Sequence, residues 1–333
     1  MNSHAHAIAR RFFTIGPHAG AHEAASRAAA SVAVPLVLLY LIGRTDLSLY
    51  AALGAFTAVY GRYASYADRI AMQVLAGGVI VAAMLAGTLL SVVDAPATFR
   101  VLVVALIAGS VTYLADVLGW RPTGAMFAVF ASGACASIPA TGRSFAEVLL
   151  VGGGTVAISI LITATLALRR VGLRDLVAIP VIVDPGPAGR RNALAVTIGA
   201  FLAGYAGLLL IGDHWYWATV ATLATLNGPD FHARITRGLQ RLIGTIVGVV
   251  FAGGLLALDL PLLATIGVAI AFQGLVELVI MRNYGAAMLF ITTIALVMVH
   301  MASPQPVGEL IANRILETLI GVVVGLGVVF ALR

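Results

Sequence analysis

Apolar residues in this chain come in twelve runs separated by short polar breaks. The runs fall near residues 28–42, 47–60, 70–92, 101–118, 122–140 and 146–168. Beyond a polar stretch they resume near 193–211, 215–226, 239–258, 260–281, 284–301 and 307–332. Most are long enough, at about 1.5 Å per residue, to cross a hydrocarbon layer of about 30 Å as helix. In lipid each backbone amide must find its partner inside its own segment, so helix is the expected state. The pattern therefore predicts an all-α membrane protein of twelve transmembrane helices.

The runs also repeat. The short second run, with Ser48 to Tyr63, matches the short eighth, with His214 to Gly228. Arg69, opening the third, matches Arg237 near the start of the ninth. Asp116, Arg121 and Gly124 have counterparts at the same internal spacing in Glu277, Arg282 and Gly285, and Glu147 corresponds to Glu309. Arg314 and Glu317 have no charged counterparts, with Gly152 and Thr155 standing there instead. Six crossings per half is an even number, so the halves point the same way and are expected to relate by a pseudo-twofold axis along the membrane normal. The domain reading is an N-terminal cytoplasmic segment 1–26, a six-helix repeat 27–168, a cytoplasmic linker 169–191 and a second six-helix repeat 192–333. Residues 1–26 read as a solvated tail without a leader, Pro17 as a helix start and Val177–Val183 as a patch on the interface.

Composition agrees with the solvent. The chain has 333 residues, 61% of them hydrophobic and 10% charged, and a mean hydropathy of +1.03, which leaves too little polar surface to coat a water-soluble globule. All 20 basic residues are arginines. With the N-terminus cytoplasmic, sixteen lie on inner ends and loops against four outside (Arg44, Arg100, Arg143 and Arg314), a positive-inside bias that puts both termini in the cytoplasm of a multi-pass cell-membrane protein. They are scattered rather than striped, which argues against a nucleic-acid partner. The single cysteine, Cys135, rules out an intrachain disulfide or a CxxC metal site. His4, His6, His18 and His22 lack a supporting acid or cysteine, so no metal or cofactor is expected.

The candidate chemistry is charge buried in lipid. Arg234, Arg237 and Arg241 recur on one helical face and either hold carboxylates or anchor topology with their stems in the interface. Asp116 and Glu277 lie about 7.5 Å inside the arginines at the boundary, as a proton-coupling pair or as ion-pair partners. Arg314 and Glu317, three apart, form a local pair or an outer gate. Trp215, Tyr216 and Trp217 either stack an aromatic ligand or sit in an interfacial belt.

One stretch is more specific. Trp217-Ala218 with Ala221 precedes Arg237-Gly238, Arg241-Leu242, Gly244-Thr245 and Gly248. Asn283-Tyr284 and Arg314, Glu317-Thr318 and Gly321 follow. This pattern resembles the fusaric acid resistance family, whose members resemble aromatic acid exporters, and is similar to a stretch of plant aluminium-activated malate transporters, which are anion channels. The resemblance implies an integral membrane transporter, not an enzyme. Its lead reading is proton-coupled efflux of small aromatic carboxylic acids, with Arg241, Arg237, Arg234, Arg69, Trp217, Tyr216 and Thr245 along the substrate pathway. A passive organic-anion channel and a non-transporting membrane scaffold are the alternatives. The expected partners are the lipid bilayer and a small organic anion, with assembly into a homo-oligomer left open.

Overall fold

A computed structural model describes residues 2–18, 20–172, 178–212, 214–302 and 306–332. Leu173–Val177 of the linker, with Arg174, and Arg333 lie outside the described residues. The described residues form helices and no strand: α1 (Asn2–Phe13), α2 (Ala21–Leu41), α3 (Ser48–Ala55), α4 (Tyr66–Val92), α5 (Ala97–Val117), α6 (Met126–Ser137), α7 (Gly142–Glu147), α8 (Gly154–Val171), α9 (Gly186–Leu210), α10 (Tyr216–Leu226), α11 (Phe231–Leu256), α12 (Leu262–Val279), α13 (Tyr284–Ala302) and α14 (Val307–Ala331).

Among the described residues nine helices are long and apolar enough to cross a membrane, counting Gly142–Arg170 as one. The expected twelve is therefore corrected to nine full spans, with three shorter helical segments at 45–59, 126–137 and 216–226. The reason is local. Ile138 takes an extended conformation before Pro139, as the ring of a following proline demands, and α6 stops at Ser137. Pro229 lies just beyond the end of α10, whose 11 residues cover about 16 Å, half a hydrocarbon layer. Residues 45–59 are a short α-helix flanked by two 3-10 turns.

The chain divides into two compact units, Ser26–Thr197 and Met1–Ala25 with Ile198–Arg333. In the first, α4 packs along α6 and α8, and a π turn at Val148–Gly153 joins α7 to α8. Arg44 pairs with Asp46 at 2.9 Å and Glu147 at 3.1 Å, tying the start of the short segment to α7.

In the second unit α11 is the centre, packed by α10, α13 and α14. Near neighbours give the directions. Gly238 lies by Val322 and Gly253 by Ile311, so α11 and α14 are antiparallel. Gly321 faces Ala218 and Ala221 while Gly325 faces Thr225, so α10 and α14 run parallel. The Thr222 hydroxyl donates to the Gly321 carbonyl at 2.8 Å, a bond between helices where lipid offers none.

The N-terminus is not a solvated tail. α1 packs on α11, and the segment after it is caught by its carbonyls. Gln240 and Asn283 donate to the Phe12 carbonyl at 3.1 and 2.9 Å, and Arg282 donates to Gly16 at 3.2 Å. Pro17 does not start a helix, since α2 begins at Ala21. Arg11 closes the strap on Asp230 at 2.8 Å. Asp230 also caps α11 by accepting from Ala233 N. Arg11 first, then that amide, hold its carboxyl below the usual value near 3.8. A depressed carboxylate contributes stability above its unfolded value and loses it as pH falls through the folded one. The strap is thus expected to stay docked at neutral pH and to loosen only below about pH 4, whereas Asp230→Asn loosens it throughout. A spin label at exposed position 13, read by its mobility against pH, checks this, because the thiol of Cys135 is buried.

Candidate functional site

The aromatic start of α10 is buried in protein. Trp215, Tyr216 and Trp217 are all within the core, which excludes the interfacial belt, since a belt needs rings open to headgroups. Tyr216 stacks on Trp217 with centroids 5.3 Å apart. Over Trp217, 3.9 Å from its centroid, lies the guanidinium of Arg314. It arrives there because Gly321, two turns on, lets α14 rest against the backbone of α10.

Arg241 comes from α11. Its Nη1 donates to the Tyr284 hydroxyl at 3.0 Å and contacts the Met288 sulfur at 3.7 Å. The ring of Tyr284 also takes the guanidinium of Arg237 at 4.4 Å, a cation–π contact. Tyr284 is thus the residue that organises both arginines, and only its place beside Asn283 in the family-like pattern pointed to it. Arg241 lies ten residues, about 15 Å, into α11, and Arg314 seven residues, about 10 Å, into α14.

Arg314, Glu317 and Arg241 are 1%, 1% and 2% exposed. Arg314 and Glu317 do pair, but at 3.9 Å, longer than a hydrogen bond. Arg314 Nε, Nη1 and Nη2, Arg241 Nε and Glu317 Oε1 are buried without a hydrogen-bond partner, and so are the hydroxyls of Thr245 and Thr318. Buried donors of a charged group are normally hydrogen-bonded, because leaving them unmade carries the full desolvation cost. Arg314 feels the charge of Arg241 and of Glu317, and the hydroxyls of Tyr216 and Tyr284. The result is two guanidiniums and one carboxylate among three aromatic rings, with donors left over.

The other expected residues lie elsewhere. Arg234 donates to the Gly228 carbonyl at 3.0 Å. Arg69 donates to the carbonyls of Gly61 at 2.8 Å and Ala64 at 3.0 Å. Both brace the loop before their own helix, so in contacts Arg69 resembles Arg234 rather than Arg237. Asp116, half-buried near the end of α5, interacts with Asn192 and Arg121. Glu277 is buried on α12 and engaged in polar interactions of its own. Among the described residues no group of three His, Cys, Asp or Glu could hold a metal; the side chains of His4 and His6 lie outside them.

Gly77 lies against Thr57 and Val156, and Gly238 against Thr225 and Val322. Counting from these anchors, Arg241 falls where the first unit has Ile80 and Trp217 where it has Leu49, while the count to Arg314 and Glu317 runs into the π turn at Val148–Gly153.

Nine helices among the described residues that are long and apolar enough to cross a membrane define a multi-pass membrane protein. Residues 194–328, the part of the chain that holds the buried charged centre, match the family described as "Fusaric acid resistance protein-like". The chain is 33% identical over 117 residues to the "Uncharacterized membrane protein YvaC" of Bacillus subtilis. It is 30% identical over 145 residues to the "Uncharacterized protein slr1298" of Synechocystis. These alignments take in 33% and 43% of this chain, and 18% of each relative's length. No solved structure matches the chain.

Proposed function

We propose that the protein is a transporter that carries small organic acids, aromatic carboxylates foremost, across the membrane, with Arg241 and Arg314 as the anion-binding pair. The observation that carries this reading is Arg314, a buried guanidinium with all three nitrogens free of hydrogen bonds and an aromatic face under it. A carboxylate accepts from such a fork in two parallel bonds, and Trp217 and Tyr216 offer a planar ring an aromatic wall to pack beside. In lipid the same group without an anion is costly, which is why intramembrane charge marks a transport path.

Arg237, partly buried over the Tyr284 ring one turn before Arg241, concentrates anions at the mouth, and Thr245 adds a hydroxyl one turn beyond. Asp116 and Glu277 carry the coupled proton. Arg69 and Arg234 contribute by fixing loops. In this reading residues 27–168 and 192–333 are duplicated six-helix units joined by 169–191, with the termini and the segment 1–26 cytoplasmic in a cell membrane, and export is the working direction. The recurring contacts of Gly77 and Gly238 support the duplication.

Proteoliposomes loaded with labelled benzoate test it. Native protein is expected to release label faster when a pH step is imposed, Arg241→Gln to lose the flux, and Asp116→Asn with Glu277→Gln to keep anion flux but lose its response to pH. Flux that follows the anion gradient alone in the native protein makes it a passive channel. Absence of any anion flux contradicts transport.

A further inference from the structure

We propose that the groove beside the N-terminal strap binds one anionic phospholipid, with an acyl chain along α11 and α13 and the phosphate held at Arg282. The groove measures about 470 Å³, within the range of about 300–1,000 Å³ usual for small-molecule sites. Phe13 and Ile15 of the strap form one wall; Ile243 and Val247, one turn apart on α11, and Leu289 of α13 form the other. It begins at the polar turn between α12 and α13, where Arg282 lines it, and reaches Leu289, five residues or about 7.5 Å into α13. That is about half of one hydrocarbon leaflet. Charge at the helix end and apolar walls toward the span follow the order of a lipid, headgroup first and chain after.

Exposure and charge narrow the occupant. Phe13 is 77% and Ile15 68% exposed, and rings and branched chains so open beside membrane-spanning helices are placed to meet acyl chains rather than water. Among the described residues no Asp or Glu lines the groove. Arg282 donates its Nε to the Gly16 carbonyl at 3.2 Å, which leaves Nη1 and Nη2 for a phosphate. Arg10 is exposed and stands one turn before Phe13 on the same face of α1, adding a second positive charge, while Arg11 is engaged by Asp230. Basic clefts between membrane helices select anionic headgroups in this way. A chain seated here touches the strap on one side and α11 and α13 on the other, so it holds the strap down beside the bonds to its carbonyls. Neither Arg241 nor Arg314 lines the groove, so the lipid site stands or falls apart from the anion site.

Native mass spectrometry of the purified full chain, titrated with dioleoylphosphatidylglycerol or dioleoylphosphatidylcholine, tests the site, since the two lipids share chains and phosphate and differ in net charge. Native protein is expected to bind the anionic lipid at least about fivefold more tightly, and Arg282→Gln to lose most of that preference. Ala286→Phe, which fills the groove from α13 and leaves the side chains that hold the strap in place, is expected to lose the tightly bound lipid. Glycerol phosphate, a headgroup without chains, is expected not to displace it. Equal binding of the two lipids by native protein, or a ratio unmoved in Arg282→Gln, overturns the proposal. Undiminished binding in Ala286→Phe overturns it too, and so does full displacement by glycerol phosphate, which makes Arg282 a phosphate site without a chain. Should Arg282→Gln fail to fold, the native ratio and Ala286→Phe decide.

Discussion

Changing Arg314 to Met together with Glu317 to Leu is expected to raise the thermal stability of the protein and to abolish anion binding. The pair is 3.9 Å apart, fully buried and without a hydrogen bond on any guanidinium nitrogen. Two charges have been taken out of water, and their mutual attraction is weakened by the poor geometry. Replacing such a pair with apolar groups of similar volume is typically neutral or stabilising, by about 1–4 kcal/mol. Removing Arg314 alone differs in sign, because it strands Glu317 in the core and costs about 3–5 kcal/mol. Thermal unfolding in detergent, run beside benzoate calorimetry, checks both halves. A double variant that is less stable than native and still binds benzoate shows that the pair is structural. The expected opposite outcome shows that stability is given up at this place for binding.

Gly321→Val is expected to do the reverse, lowering stability and binding together. A Cβ at Gly321 runs into the Ala218 carbonyl and comes within 2.5 Å of Ala221 Cβ. Backbone cannot move aside as a flexible side chain can, so α14 must retreat from α10, breaking the bond from Thr222 to Gly321 and lifting Arg314 off Trp217. Overpacking of this kind costs about 1–3 kcal/mol or more. Gly327→Ala in the same helix is the control, since nothing lies within 4 Å of its added Cβ, and it should gain up to about 1 kcal/mol of helix propensity. Equal effects of the two substitutions on unfolding would refute the close-packing account of how the site is held.

These predictions rest on features that were legible in the sequence to different degrees. The helices were, because hydrophobic runs in lipid leave the backbone one satisfactory conformation. Crossing number was not, because short runs such as 47–60 and 215–226 were counted as crossings, and Pro139 takes the end of the run 122–140 out of α6. Arg241, Trp217, Arg314 and Glu317 were recognisable singly, as charge or aromatic side chains inside apolar runs. Their convergence was not, since Arg314 is 73 residues from Arg241 and only the packing of α10, α11, α13 and α14 brings the two charges within electrostatic reach of each other. Arg69 and Arg234 misled for a related reason: a guanidinium that braces a loop carbonyl has the same spacing in the sequence as one that faces a ligand. The strap of residues 10–16 was hidden because its hold is on backbone carbonyls, which carry no side-chain signature.

The claim on which the account turns is that a carboxylate sits between Arg241 and Arg314 with its ring beside Tyr216 and Trp217. A structure of the purified protein with 4-bromobenzoate, the bromine located by anomalous scattering, tests it most directly. The account predicts a bromine peak beside Tyr216 and Trp217 with the carboxylate turned toward Arg314. A peak confined to the apolar pocket of Phe12, Ile243 and Leu289, with the Arg314 donors still unoccupied, would contradict it.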